Sequence, residues 1–142
     1  MSKFAFPARF TPDEVDGGYT VTFRDLPEAI TQGETKEQCF TEATDCLEEA
    51  LAARIDDHRG IPIPTDAESG ELMIYVPIVT ALKAALYLAV REAGITKVQL
   101  AKTLNTDEKE VRRILDPHHG TKIPTIERAL HALGKHAELH VE

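Results

Sequence analysis

The chain has 142 residues, 42% of them hydrophobic and 28% charged, the balance of a globular protein that folds as one ordinary domain or two small ones. Its net charge of −8 is unevenly spread: residues 1–75 carry six Lys/Arg against sixteen Asp/Glu (net −10), and residues 76–142 carry ten against eight (net +2). The longest apolar run, residues 78–90, contains Thr80 and Lys83 and falls short of the ~20 residues that span a bilayer.

An acidic half beside a mildly basic half points to two partners of opposite sign, the plainer alternative being two solubilising surfaces. No apolar signal region follows Met1-Ser2-Lys3-Phe4, so a cytoplasmic protein with no membrane partner is expected. Cys39 and Cys46 share a helix face, where seven residues of rise (about 10 Å) is too far for a disulfide. Buried free thiols in a reducing compartment fit that spacing.

In chain order, Lys3–Phe10 alternates loosely and reads as a strand, with Pro7 arguing for an edge position. After an Asp/Pro/Gly-rich turn, Tyr19–Phe23 alternates strictly, with Tyr19, Val21 and Phe23 on one face. Asp25-Leu26-Pro27 breaks that strand, and Ala29–Gln32 is a short third one ended by Gly33. Thr35 opens a helix with a Thr35…Gln38 capping box and an apolar stripe of Phe40, Ala43, Leu47, Ala50, Leu51 and Ile55. Asp56–Gly60 ends that helix, a Pro-rich loop follows, and Leu72–Val76 is a fourth strand whose apolar run is too continuous to be solvated on both faces.

Pro77 suits the start of a new helix, and Ile78–Ala93 is apolar almost all round, as a central or subunit-joining helix would be. Gly94 ends it. Thr96 caps a helix through Thr103, Asn105 takes the left-handed turn position, and Asp107 caps Glu108–Leu115. Thr125 is expected to cap Ile126–Leu133, and Leu139-His140-Val141 to form a final short strand. The fold class is therefore α+β: a β-β-β-α-β module over residues 1–76, then an all-α module over 77–142 with a short C-terminal strand.

The second module resembles the lambda-repressor-like helix-turn-helix family. The resemblance rests on Leu100-Ala101, Leu104-Asn105, Val111 and Ile126…Leu130…Leu133-Gly134. A small residue at Ala101 lets two helices cross closely and leaves the second free to enter a major groove. Asn105 stands where the family has Gly, and Lys97 where it has Gln. Candidate DNA-binding residues are Lys97, Lys102, Lys109, Arg112, Arg113 and Lys122, with solvated charge as the alternative for any one, and pairing with Asp116 for Arg113. Glu108 and Glu110 weaken attraction to phosphates, and the modest +2 balance predicts weak monomer binding, so two helices on neighbouring half-sites are expected, in a homo-oligomer (dimer or tetramer).

The first module resembles HicB, the antitoxin of HicA–HicB toxin–antitoxin pairs. The motifs are GGYTVTF, Asp25-Leu26-Pro27, the Thr31–Thr35 corner, the acidic helix, Ile61–Pro64, and a tail of the helix-turn-helix subclass. Arg24 and Glu28-Ala29 depart from the family pattern. The resemblance implies a partial RNase H-like sheet without nuclease activity, steric capture of a small basic HicA-like mRNA-cleaving toxin, and repression of the shared operon at operator DNA. Tyr19, Asp25 and Glu28 are candidate toxin contacts, with a core role as the alternative for Tyr19. A stand-alone transcriptional regulator with an acidic ligand-binding module is the main alternative.

An enzyme reading would gather Asp13, Asp16, Asp25 and Glu28 as a two-metal nuclease site, but these acids fall in turns while the strands carry Thr and hydrophobes. The spacings of His118, His119, His131, His136 and His140 match no usual zinc pattern. No catalytic residue, metal or cofactor is expected.

Overall fold

Period-two alternation builds the sheet, and period-3.6 stripes build everything else. The computed structural model describes residues 3–142 and is α+β, with a four-stranded antiparallel sheet and five helices. The chain divides into two compact units between Pro77 and Ile78. Among the described residues no helix is long and apolar enough to cross a membrane.

In the first unit, β1 (Ala5–Pro12), β2 (Tyr19–Phe23), β3 (Ile30–Gly33) and β4 (Glu71–Tyr75) lie in the order β3-β2-β1-β4. The register pairs Ala8 with Phe23 and Leu72, and Phe6 with Ile74, so alternate residues gather on one face. Phe6, Ala8, Val21, Phe23 and Ile74 on that face are buried, as are Cys39, Ala43, Leu47 and Leu51 of α1 (Lys36–Asp56), the helix packed on the sheet. Two glycines permit the close approaches. A Cβ on Gly18, which has a left-handed φ of 73°, would lie 2.7 Å from the Gly33 carbonyl oxygen; one on Gly33 would lie 2.8 Å from Cys39 Sγ. The Thr35 hydroxyl accepts from Gln38 N at 3.1 Å, while the Gln38 side chain reaches past the cap residue to accept from Glu34 N.

In the second unit, α2 (Ile78–Ala93) is the central helix. Its Leu86 and Ala89 pack against Ile114 of α4 (Glu108–Leu115) and Ile126, Ala129 and Leu130 of α5 (Ile123–Ala132). Leu100 and Ala101 of α3 (Lys97–Thr103) form a second cluster with Val111.

Four expectations change. Pro7 lies in an interior strand. Phe4 O accepts from Val76 N at 3.0 Å, so along β1 the nitrogen of Pro7 is directed to the β2 side, where pairing begins only at Ala8; no ladder loses a donor. β4 and β3 are the edge strands, and β4 is not solvated on both faces: Ile74 and the following Val76 are buried while Leu72 and Tyr75 are exposed. Phe40 leaves the buried stripe: it is 42% exposed, its ring edge-to-face with Phe10 at 5.2 Å, and Cys39 takes the core position. α5 starts at Ile123 rather than at a Thr125 cap, because Pro124 has its φ already set for a first turn; Thr125 sits inside that turn. Residues 139–141 form no strand, and Leu139 and Val141 stay exposed, so the alternation there marks no buried face.

Fully buried Phe23 and half-exposed Phe40 separate core from surface. Phe23→Ala should lower the first unit's stability in chemical denaturation by about 3–5 kcal/mol, and Phe40→Ala by about 1 kcal/mol. Equal losses would place Phe40 in the core after all.

Candidate functional site

In the second unit the candidate surface is α3, its turn and α4. Thr96 and Gln99 start α3 with a reciprocal capping box: the Thr96 hydroxyl accepts from Gln99 N at 3.1 Å, and the Gln99 side-chain oxygen from Thr96 N at 2.8 Å. α3 stops at Leu104 because Asn105 turns left-handed (φ 55°), where Asn is tolerated better than most residues. Thr106 N then donates to Ala101 O at 2.9 Å and Asn105 N to Lys102 O at 3.1 Å, closing the end of α3. One residue later the Asp107 carboxylate accepts from Glu110 N at 2.7 Å and starts α4. The turn is thus fixed at both ends.

Val111 and Ile114 point α4 inward, which leaves Lys109, Arg112 and Arg113, at i, i+3 and i+4, exposed together on its outer side. Arg112 reaches Glu108 at 3.7 Å, and Arg113 donates to Glu110 at 3.0 Å rather than pairing with Asp116. Such exposed pairs one turn apart are worth only about 0.3–0.5 kcal/mol, so a stronger anion displaces them. Lys97 opens α3, Lys102 lies in its last turn, and Lys122 caps α5 without a side-chain bond; all three are exposed. One charged residue stands apart: Lys83 is buried, and its Nζ donates to Arg113 O and Asp116 O at 3.0 Å each and to Thr121 Oγ1 at 2.6 Å.

In the first unit the three sequence candidates part company. Tyr19, half-buried at the start of β2, lines a cleft of about 340 Å³ with Asp13, Asp16, Gln32 and Glu34. The Asp13 carboxyl is held below its usual range by the backbone N–H groups of Asp16 and Val15. Asp25 and Glu28 lie beyond the other end of β2 and are engaged within the fold. Asp25 accepts from Thr65 N at 2.8 Å and from the Thr65 hydroxyl at 2.9 Å. Glu28 takes both nitrogens of an Arg54 fork, one at 3.0 Å, and that fork pulls its pKa down to about 2.

Next to them Arg24 donates to Glu71 at 2.8 Å, to the Thr65 hydroxyl at 2.7 Å and to Asp66 O at 3.0 Å. The Glu71 side chain is 3% exposed, and the Arg24 hydrogen bond together with Glu68 N also takes it to about 2. Asp13, Asp16, Asp25 and Glu28 therefore do not converge, and none of them belongs to a group of three possible metal ligands among the described residues. Sequence reasoning missed Arg24, Arg54, Thr65, Glu71 and Lys83. The available signal was isolation: a few cations among many acids, and one lysine in an apolar run.

A family-level comparison matches residues 5–85 to the HicB-like antitoxin of bacterial toxin–antitoxin systems. Antitoxin HicB 2 of Photorhabdus laumondii is 40% identical over 140 residues, 98% of each chain. The chain belongs to the HicB-like antitoxin family. Antitoxin HicB of Escherichia coli K12 is 37% identical over 134 residues, 94% of this chain and 96% of that one. The family match runs from β1 into α2, while similarity to these HicB antitoxins continues through α3, α4 and α5. Membership in an antitoxin family implies a toxin as partner.

The ion pairs make this HicB-like unit acid-sensitive. Glu28 and Glu71 sit near 2 when folded against an ordinary 4.5, so the unfolded chain binds more protons between those values. Their stabilisation is complete above about pH 4.5 and drains away as pH falls toward 2. Glu28→Gln should be less stable than wild type at pH 7 and lose less on acidification, read as denaturation midpoints from pH 7 to 3. An unchanged acid profile would show that the pair contributes nothing.

Proposed function

We propose that this antitoxin sterically neutralises a HicA-like mRNA-cleaving toxin with residues 1–76 and represses its own operon by binding operator DNA with residues 77–142, as a homo-oligomer and without a cofactor. The observation that carries the DNA half is α4. Its N-terminus is fixed by Asp107, its inner side is locked by Val111 and Ile114, and Lys109, Arg112 and Arg113 face outward. That arrangement, with Asn105 at the turn, supports a lambda-repressor-like helix-turn-helix with α4 as its reading helix. Lys97, Lys102 and Lys122 are the phosphate contacts that set its register.

The toxin half rests on family and charge. A unit with net −10 over residues 1–75 attracts a basic RNA-cleaving protein and speeds its encounter. Its strand order with one helix across the sheet supports the partial RNase H-like reading. Of the three contacts proposed there, Tyr19 is positioned to meet a partner directly, whereas Asp25 and Glu28 act by shaping the surface between Arg24, Thr65 and Arg54.

Co-expression with the small reading frame beside the gene tests the toxin half: co-purification and rescue from growth arrest are expected. A chain that binds operator DNA but captures no toxin would be a stand-alone regulator. Arg112→Ala should weaken operator binding about tenfold or more, for a base contact worth about 1–3 kcal/mol, and leave toxin capture unchanged. Equal loss of both activities would mean that one surface serves both partners.

A further inference from the structure

Lys83, at 1% exposure, is the one charged residue buried whole among the described residues. An ammonium has three donors, and here each has an acceptor: Arg113 O, Asp116 O and Thr121 Oγ1. Two of those acceptors belong to the end of α4. Each of these carbonyls also accepts a backbone N–H, Arg113 O from Asp116 N at 3.3 Å and Asp116 O from His119 N at 3.2 Å, and the negative end of the helix dipole lies there, so a cation adds a second bond to each and meets the dipole. The third, Thr121, lies in the segment leading to α5. Lys83 thus ties α2, the end of α4 and the α4–α5 connection to a single atom.

Burying a lysine costs more than burying a leucine or methionine of similar volume, so stability alone does not account for it. What the lysine adds is direction. The apolar contacts of Leu86 with Ile114 and Ile126 fill space without fixing rotation or sliding. Three hydrogen bonds converging on one nitrogen fix both.

We propose that Lys83 is a positioning residue for DNA reading: its ammonium sets the C-terminal turn of α4, and so the line along which Lys109, Arg112 and Arg113 meet DNA. This deepens the operator-binding reading and rests on it.

A pH signature follows. Burial lowers the Lys83 pKa to about 8, against the opposing pull of the charged groups that face it, Asp116 and Glu110 of α4 and its cap. A neutral amine has two protons for the two carbonyls and takes the Thr121 hydroxyl on its lone pair, so as pH rises through about 8 the contacts lose their charge and the hold on the negative end of α4 weakens. In the unfolded chain the ordinary value is 10.5, so between the two values the unfolded state binds more protons and this group's contribution to stability rises with pH. Weaker DNA binding without weaker folding is the mark of a positioning role.

The test uses the full chain and a duplex covering the segment immediately upstream of its own coding sequence. Wild type should bind, and its affinity should fall at least threefold from pH 7 to pH 9 with no loss of thermal stability. Lys83→Met should lose at least tenfold in affinity at pH 7, keep its helical circular dichroism and show a flat pH profile. Thr121→Val, which removes one acceptor and keeps the lysine, should fall between the two. Wild-type affinity in folded Lys83→Met, or the same pH profile in both, overturns the proposal. If Lys83→Met fails to fold, Thr121→Val and the wild-type profile decide. A wild type that binds no DNA brings down the operator reading itself, and the positioning role with it.

Discussion

Mutual repulsion is the constraint on the first unit. Sixteen carboxylates stand against six cations in residues 1–75, and a compact state must hold them close together. Arg24 and Arg54 resolve it locally. Each takes a carboxylate into a charge-assisted hydrogen bond, and each also grips a carbonyl of the chain after α1, Asp66 O for Arg24 and Gly60 O for Arg54. These two residues remove Glu28 and Glu71 from the repulsive field and fasten the connection to β4 in doing so. The acids left outward, on α1 and around the Tyr19 cleft, give the unit its external sign.

The second unit solves a different problem with few residues. Two short helices, α3 and α4, are too short to persist alone, since isolated helices below ~12–15 residues are marginal. Each is therefore stopped or started by a specific side chain: Thr96, Asn105 and Asp107. Ala101, small and 5% exposed, lets them share a core with Leu100 and Val111, and α2 and α5 form a second core behind.

Much of this was legible in the sequence because it is local. The strict alternation of Tyr19–Phe23 gave β2 to the residue; Pro77 and Gly94 bracketed α2; Thr96, Asn105 and Asp107 marked the α3–α4 turn. What was not legible depends on partners far along the chain. Asp25 meets Thr65 across 40 positions and Glu28 meets Arg54 across 26, so neither spacing carries a signal. Pro7 read as an edge residue because a sequence does not say where the neighbouring ladder begins. The alternation at Leu139–Val141 is three residues long, too short to settle a strand by itself, and those residues form none. Of the candidate site, the cations of α3 and α4 were visible as a cluster; that Lys83 reaches the end of α4 was not.

The stretch from Asp57 to Gly70 has no regular secondary structure, a form that usually invites proteases, which need an extended, freed segment to cut. Here it is held at Gly60, Thr65, Asp66 and Glu68 by Arg54, Asp25, Arg24 and Glu71. Cutting it requires a local opening, and when reclosing is fast the rate of nicking follows the population of that open state. That population is set by hydrogen bonds between charged side chains and backbone groups rather than by the apolar core. The survival time of this antitoxin against a protease is therefore coupled to two arginines and two carboxylates, through a segment that contributes nothing to its sheet.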